Sequence, residues 1–204
     1  SITITIAEID EQIRKIENSS WNKFKIKCNG FNLKNTEKLL NLNRNIALDA
    51  NASFTKEDCL FIQETSGFQK LMYIEQPLEI GNFGILKNGN SVNWMADEDC
   101  QDITFLEKLK PYYSSINIKL MKCGGLTPAL EMITEAKKLG YKIMLGCMTE
   151  SSIGISAGCA IAGLLDFADL DGANLISNDY ATGSFVDNGK IILSEKPGLG
   201  IALL

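Results

Sequence analysis

The sequence predicts an α/β protein built as a closed barrel of parallel strands wrapped by helices. Two observations point there. Short β-rich runs recur at an even step, and segments with helical periodicity fill most of the intervals between them. The runs begin near Ile2 (ITITI), Phe24 (FKIK), Ile46 (IALD), Met72 (MYIE), Asn93 (NWMAD), Ile116 (INIKL), Lys142 (KIMLG) and Phe167 (FADLD). Their starts are separated by 22, 22, 26, 21, 23, 26 and 25 residues. Strands alternating with helices indicate a parallel sheet. At roughly 25 residues per unit the economical closure is a (β/α) barrel. An open doubly wound sheet is the structural alternative. It usually carries a glycine-rich phosphate loop after its first strand, and AEIDEQ at 7–12 is nothing like one.

Each helical interval has its own justification. IDEQIRKIENSS follows the first run, NTEKLLNLNR the second and FTKEDCLFIQETSG the third. ITFLEKLKPYYSS and LTPALEMITEAKKLG follow the fifth and sixth. ESSIGISAGCAIAGLL follows the seventh and is apolar on most sides, as a buried helix would be. GNFGILKNGNS, after the fourth run, is the weakest helix, because its glycines and asparagines lower helix propensity. Asp10, Thr55 and Thr127 stand where N-caps belong, Gly140 where a terminating glycine belongs, and Pro128 just inside its helix. We expect the barrel over residues 1–175 and a tail without helix periodicity over 176–204. That tail holds a hairpin around Asp187-Asn188-Gly189.

Bulk properties exclude several functions. The chain has 204 residues, 45% of them hydrophobic and 22% charged, which suits one globular domain with a real core. A net charge of −5 argues against nucleic acid as the main partner. No run approaches the roughly 18 to 20 apolar residues that span a bilayer. The N-terminus, SITITIAEID, does not read as a signal peptide. Six cysteines are scattered with no C-x-x-C spacing and read as reduced thiols, so we expect a cytoplasmic protein. There is no histidine. Histidine triads and histidine metal sites are therefore ruled out, and acid–base chemistry must use Lys, Asp, Glu, Tyr or Cys.

In a barrel of this kind chemistry sits at the C-terminal ends of the strands. Those ends read Lys25 and Lys27, then Asp49 and Asn51, Glu75, Asp97 and Glu98, Lys119, Glu150, and Asp169 and Asp171. LDAN, IEQP and ADED place one carboxylate each on the third, fourth and fifth strands. Three carboxylates facing one space repel unless a cation joins them, and an all-oxygen ligand set selects a hard ion such as Mg2+. Taken singly, each would be an ordinary cap or loop charge.

The lysines complete the pattern. In FKIK, Lys25 and Lys27 alternate with apolar residues and share one face of a strand. Alone, K-x-K is usually a solvated face. Strands two and six, however, are four apart in a ring of eight, so Lys27 and Lys119 oppose each other across the mouth. We therefore read the two-lysine face as pointing inward. A lysine acts as a base only if its pKa falls from about 10.4 towards 7 to 8, and a metal and the neighbouring Lys25 would both push it down. Two bases flanking one carbon beside a divalent ion suit proton abstraction α to a carboxylate, hence racemisation or epimerisation. Asp169 and Asp171 share a face by period two and could hold a substrate ammonium.

These blocks resemble the enolase superfamily, muconate-lactonizing subgroup, and within it the dipeptide epimerases such as L-Ala-D/L-Glu epimerase. The likeness rests on K-I-K at 25–27, LDAN at 48–51, IEQP at 74–77, ADED at 96–99, INIKLMKCGGL at 116–126, LGCMTES at 145–151 and DLDG at 169–172, in family order. It implies a TIM-like, modified (β/α)7β barrel and epimerisation of a dipeptide through an enediolate. Asp49, Glu75 and Asp97 would bind one Mg2+ per site, with Asn51 and Glu98 behind them. Lys27 and Lys119 would be the acid/base pair, and Lys25 would lower the pKa of Lys27. Asp169 and Asp171 would take the α-ammonium of the dipeptide. Lys25, Met148 and Glu150 fall among the substrate-binding positions.

Two departures stand out. ADED replaces the usual ADES and puts Asp99 in a serine position. Family members also carry an N-terminal capping domain that the C-terminal tail partly closes, whereas this chain starts at the first barrel strand. The expectation is a fragment or one half of a split protein. Its missing partner would be that cap, from the same gene or a separate chain. Barrels of this kind often assemble, which leaves a homo-oligomer open. The rivals are a cycloisomerase or o-succinylbenzoate synthase-type reaction on the same lysines, a Schiff-base aldolase using Lys119, and an inactive barrel lacking its cap. The acidic pair at 169 and 171 favours a cationic substrate and ranks the cycloisomerase type second.

Overall fold

The computed structural model describes residues 1–89 and 92–204. Eight strands run parallel in chain order: β1 (Ile2–Ile4), β2 (Lys23–Lys27), β3 (Asn45–Asp49), β4 (Ile74–Glu75), β5 (Trp94–Ala96), β6 (Ser115–Lys119), β7 (Lys142–Gly146) and β8 (Phe167–Asp169). Each pairs with its successor. The two edges meet through side chains: the Ser1 hydroxyl donates to Asp169 at 2.7 Å, and the Thr3 amide to Asp171 at 2.9 Å. The expected α/β barrel is what the chain forms.

Among the described residues seven α-helices lie between the strands, two of them after β6: α1 (Ile9–Glu17), α2 (Leu33–Leu40), α3 (Lys56–Glu64), α4 (Leu106–Leu109), α5 (Leu120–Cys123), α6 (Leu126–Lys138) and α7 (Ser152–Ala160). Among the described residues between β4 and β5 the one helical element is a 3-10 turn, Phe83–Ile85. The segment expected to be weakly helical ends in Asn90 and Ser91, which lie outside the described residues. Two capping expectations and one helix start are corrected. Glu8, not Asp10, precedes α1, and Asp10 sits in the first turn, where a negative charge still suits the helix dipole. Asn32 caps α2, so that helix begins two residues earlier than NTEK suggested. Gly125 precedes α6 in place of Thr127, because Gly124 and Gly125 (φ 98° and 120°) turn the chain sharply between α5 and α6. Thr55 is a full capping box: its hydroxyl accepts from the Asp58 amide, and the Asp58 carboxylate accepts from the Thr55 amide.

The period-two alternation separates two cores. Phe24, Ile26, Ile46, Leu48, Ile74, Trp94, Ile116 and Ile143 face outward into the shell shared with Ile16, Leu39, Ile62, Leu106 and Met132 of the helices. Ala47, Tyr73, Met95 and Met144, with Met72 and Phe167 against them, form a smaller apolar plug inside the ring. One step further along the same inward face the side chains become charged. The barrel is thus filled below and polar above, as this architecture requires.

After β8 the chain makes a hairpin, β10 (Phe185–Asp187) with β11 (Lys190–Ile192), turning at Asn188-Gly189 as expected. β9 (Ala181–Thr182) pairs with β12 (Ala202–Leu203). The buried Ser156 hydroxyl of α7 accepts from the Ser184 amide and donates to the Leu199 carbonyl, which ties this tail to the barrel. Among the described residues no helix is long and apolar enough to cross a membrane.

Thr55→Ala should lower folding stability by about 1 kcal/mol, since it removes the capping hydroxyl. A urea titration reads this as an earlier midpoint at unchanged slope, and an unshifted midpoint would show that the box contributes nothing.

Candidate active site

A cavity of about 450 Å³ opens at the C-terminal ends of the strands. Lys25, Lys27, Asp49, Asn51, Asp97, Glu98, Lys119, Met148, Asp169 and Asp171 line it. Glu75 lies directly beneath, fully buried. A smaller cleft of about 190 Å³ opens at the opposite end, beside Ser1, Lys23 and Met72, where barrels of this type carry stability and not chemistry. Glu150 is the one candidate kept apart from the larger cavity. It turns back to accept from the Met148 amide at 3.0 Å and lies over the first turn of α7, in space that a side chain at Gly154 would occupy.

Both lysines of β2 do point into the ring. Lys25 is only 6% exposed, and its ammonium stands 2.5 Å from Asp169, 3.4 Å from Glu75 and 3.7 Å from Asp49. Lys27, nearer the mouth, reaches Asp49 at 3.1 Å and the side-chain oxygen of Asn51 at 2.6 Å. Across the ring, Lys119 donates to Asp97 at 2.6 Å. Lys122 grips the other Asp97 oxygen and its backbone carbonyl, both at 2.6 Å, and also reaches the carbonyls of Cys100 and Asn117.

These pairings set the charge states. Burial pushes Asp169 up, but Lys25 more than offsets it and the carboxyl falls to about 2. Burial likewise opposes Asp97, yet Lys122 and Lys119 hold it below its ordinary value. Glu75 goes the other way. Burial, aided by Asp49 and Asp97 and only partly countered by Lys25, lifts it to about 8. Burial lowers Lys119 and Lys25, but their carboxylate partners win and both end above the ordinary lysine value. Lys25 spends its charge on Asp169, Glu75 and Asp49, and Lys119 rests on Asp97. Cys147, also on the cavity, is lifted to about 12 by burial, which keeps it in the thiol form.

Among the described residues no three carboxylates converge as a ready-made chelate. The donor set nevertheless fits a hard divalent ion. Asp49 and Glu75 are register partners on β3 and β4, and Asp97 follows β5 alongside. Every donor is an oxygen. Glu75 Oε2 is buried without a hydrogen-bond partner, and the mutual repulsion that lifts Glu75 is the kind a cation relieves.

The βα loops that carry these groups are strained. Asn51, Ala52 and Gln76 adopt left-handed φ values of 41°, 65° and 37°, directly after Asp49 and Glu75. Gln76 is held there by its own side chain. Its oxygen accepts from the amides of Asp97 and Asp99, and its nitrogen donates to Leu78 and Asp99. Asp99 also accepts from the Tyr113 hydroxyl at 2.8 Å and the Gly81 amide at 2.8 Å. The acid in the usual serine position thus joins β4 to β5 and stays off the cavity. Gln76, Asn117 and Lys122 escaped the sequence analysis. Asn117 could have been found, because it shares the inward face of β6 with Lys119.

A profile of the family described as Enolase C-terminal domain-like matches residues 8–204. The L-Ala-D/L-amino acid epimerase of Maribacter sp. (strain HTCC2170) is 36% identical over 98% of this chain and 61% of its own length. The protein of the same description from Flavobacterium johnsoniae is 37% identical over 99% and 62%. The chain therefore spans about three fifths of the length of these curated relatives. Among solved structures, the dipeptide epimerase of Methylococcus capsulatus complexed with Mg ion superimposes with a TM-score of 0.89 at 28% identity, over 100% of this chain and 64% of that one. An enolase family member from Agrobacterium tumefaciens, with bound sodium and L-Ala-L-Glu, gives 0.85 at 31% identity over 95% and 61%.

The pKa of Glu75 has a stability consequence whose sign is fixed. Its ordinary value is 4.5, and in the folded chain it is about 8. Between these the folded state holds the extra proton, so this residue makes stability fall as pH rises. Asp169, at about 2 against 3.8, stabilises above its ordinary value and loses that contribution as pH falls towards 2. Urea denaturation of the metal-free protein between pH 5 and 8 should show the decline, and Glu75→Gln should flatten it. Identical slopes in both proteins would contradict this.

Proposed function

The chain belongs to the enolase C-terminal domain-like family, and on that premise we propose that it inverts the α-carbon of a dipeptide of the L-Ala-D/L-Glu kind by two-base proton transfer through an enediolate. One observation carries the reading. Lys27 and Lys119 stand on strands four apart in an eight-strand ring and line one cavity, with the carboxylates of β3, β4 and the β5 end along the arc between them. The naming of similar proteins as dipeptide epimerases supports the substrate class.

In the forward direction one lysine, neutral, takes the α-proton. The C–H electron pair moves into the adjacent carboxylate to give the enediolate. The opposite lysine, protonated, delivers a proton to the other face, and exchange with solvent resets the pair. Asp49, Glu75 and Asp97 would hold one Mg2+, which supplies positive charge to the developing enediolate oxygens. Lys119 begins paired with Asp97 and Lys27 with Asp49, so each is freed as a base only when its carboxylate is engaged elsewhere. Lys25 neutralises the buried acids around it and places Asp169.

Asp169 is already engaged with Lys25, Ser1 and Thr3. Asp171 therefore takes the substrate ammonium, with Asp169 behind it. Met148, 45% exposed at the rim, meets the apolar part of the dipeptide. Asn51 and Glu98 brace the mouth near Lys27 through their mutual contact. No substrate role is assigned to Glu150. Residues 176–204 pack with a capping domain that closes the cavity. Support comes from Leu203 and Leu204, which are 75% and 82% exposed, and from the greater length of the relatives. Intact mass of the protein from its source tests this, and an active free-standing polypeptide of these residues alone would contradict it.

Screening a dipeptide library by NMR in D2O with Mg2+, using the natural full-length protein, should show α-deuteration with inversion. Lys27→Ala and Lys119→Ala should each cut epimerisation by about 100- to 10,000-fold, while either variant can still exchange the α-proton of one stereoisomer. Unimpaired turnover in both would contradict the two-base scheme.

A further inference from the structure

Asn117 is fully buried inside the ring, on the inward face of β6 two residues before Lys119. Its side-chain nitrogen donates to Glu75 Oε1 at 2.7 Å across the barrel interior. Its oxygen has no partner at all. An amide buried with one half unsatisfied lowers stability relative to an apolar side chain of the same shape, so packing alone does not account for it. With Glu75 ionised, as a cation ligand must be, this orientation is the favourable one, because the reversed amide would set an oxygen lone pair against a carboxylate.

The neighbouring strand is adapted to the same amide. A Cβ at Gly146 of β7 would lie 2.6 Å from the Asn117 oxygen and 2.8 Å from its nitrogen. Gly146 has an ordinary strand conformation, so its reason for being glycine is this space. β6 supplies the donor, β7 makes room for it, and β4 presents the acceptor. The outcome is a Glu75 carboxylate with one oxygen pinned and the other, Oε2, without a hydrogen bond and 3.4 Å from the Lys25 ammonium.

We propose that Asn117, seated by Gly146, is a positioning residue that fixes the Glu75 carboxylate so that Oε2 is the atom offered to a divalent cation. This rests on Glu75 being a ligand of that cation. Hydrogen-bond partners standing behind metal ligands typically change affinity 10- to 100-fold when removed. The test is Mn2+ binding by electron paramagnetic resonance, together with melting temperature, on the wild-type protein and on Asn117→Ala, Gly146→Ala, the double variant and Glu75→Gln. Asn117→Ala and Gly146→Ala should each weaken Mn2+ binding by about 10-fold or more. The double variant should be no weaker than Asn117→Ala, because both changes act on one contact. If Gly146→Ala fails to fold, Asn117→Leu, which keeps the shape without the donor, takes its place and should weaken binding as Asn117→Ala does. Wild-type affinity in Asn117→Ala while Glu75→Gln is weakened would overturn the positioning role and leave the ligand assignment standing. Additive losses in the double variant would overturn it too. Wild-type affinity in Glu75→Gln would remove the premise and the proposal together.

Discussion

Everything at the mouth of this barrel depends on charge compensation within a buried ring. Glu75, Asp49, Asp97 and Asp169 are each nearly inaccessible, and four carboxylates in so small a space could not stay charged unaided. Lys25 lies among three of them, and Lys119 and Lys122 close on the fourth. The same pairing has a structural reach. Asp169, held by Lys25, also accepts from Ser1, and Asp171 accepts from the Thr3 amide, so the acidic end of β8 helps join the first strand to the last. Removing one member of such a set leaves an uncompensated charge in the interior, which is far costlier than losing a surface pair.

The compensation is arranged asymmetrically, and the asymmetry suits chemistry. The apolar plug of Tyr73, Met95 and Met144 seals the barrel below. Above it the cations divide into two groups on opposite walls, with acids spread between them. The acids differ in state: Asp169 and Asp97 are held ionised, while Glu75 is pushed towards the neutral form. A site whose lysines rest on its own carboxylates is poised for exchange of partners. The strained residues after β3 and β4 keep those carboxylates from relaxing away. Gln76 fixes that strain by bonding to Leu78 in its own loop and to Asp97 and Asp99 after β5.

The barrel was legible because its signal is repetitive: an even step between β-rich runs survives errors at any single boundary. β4 illustrates this, since only Ile74 and Glu75 are strand, yet MYIE marked its place. The inward lysines were legible once Lys119 was seen opposite them. The protonation states were not, because they depend on which carboxylate each ammonium finds across the ring. Gln76 and Lys122 were hidden for a similar reason. Gln76 acts through a left-handed backbone that no motif announces, and Lys122 looks like a surface lysine until α5 turns it inward. Glu150 looked like a strand-end acid, but its own loop recaptures it.

The proposed chemistry requires one geometry: two amines approaching one carbon from opposite walls, beside a cation held by the three strands between them. A crystal structure of the full-length protein with Mg2+ and a bound dipeptide tests it most directly. The ion should lie on Asp49, Glu75 and Asp97, and the substrate α-carbon between the Lys27 and Lys119 nitrogens, each about 3 to 3.5 Å away on its own face. Both amines on one face of that carbon, or the ion seated on other residues, would contradict it.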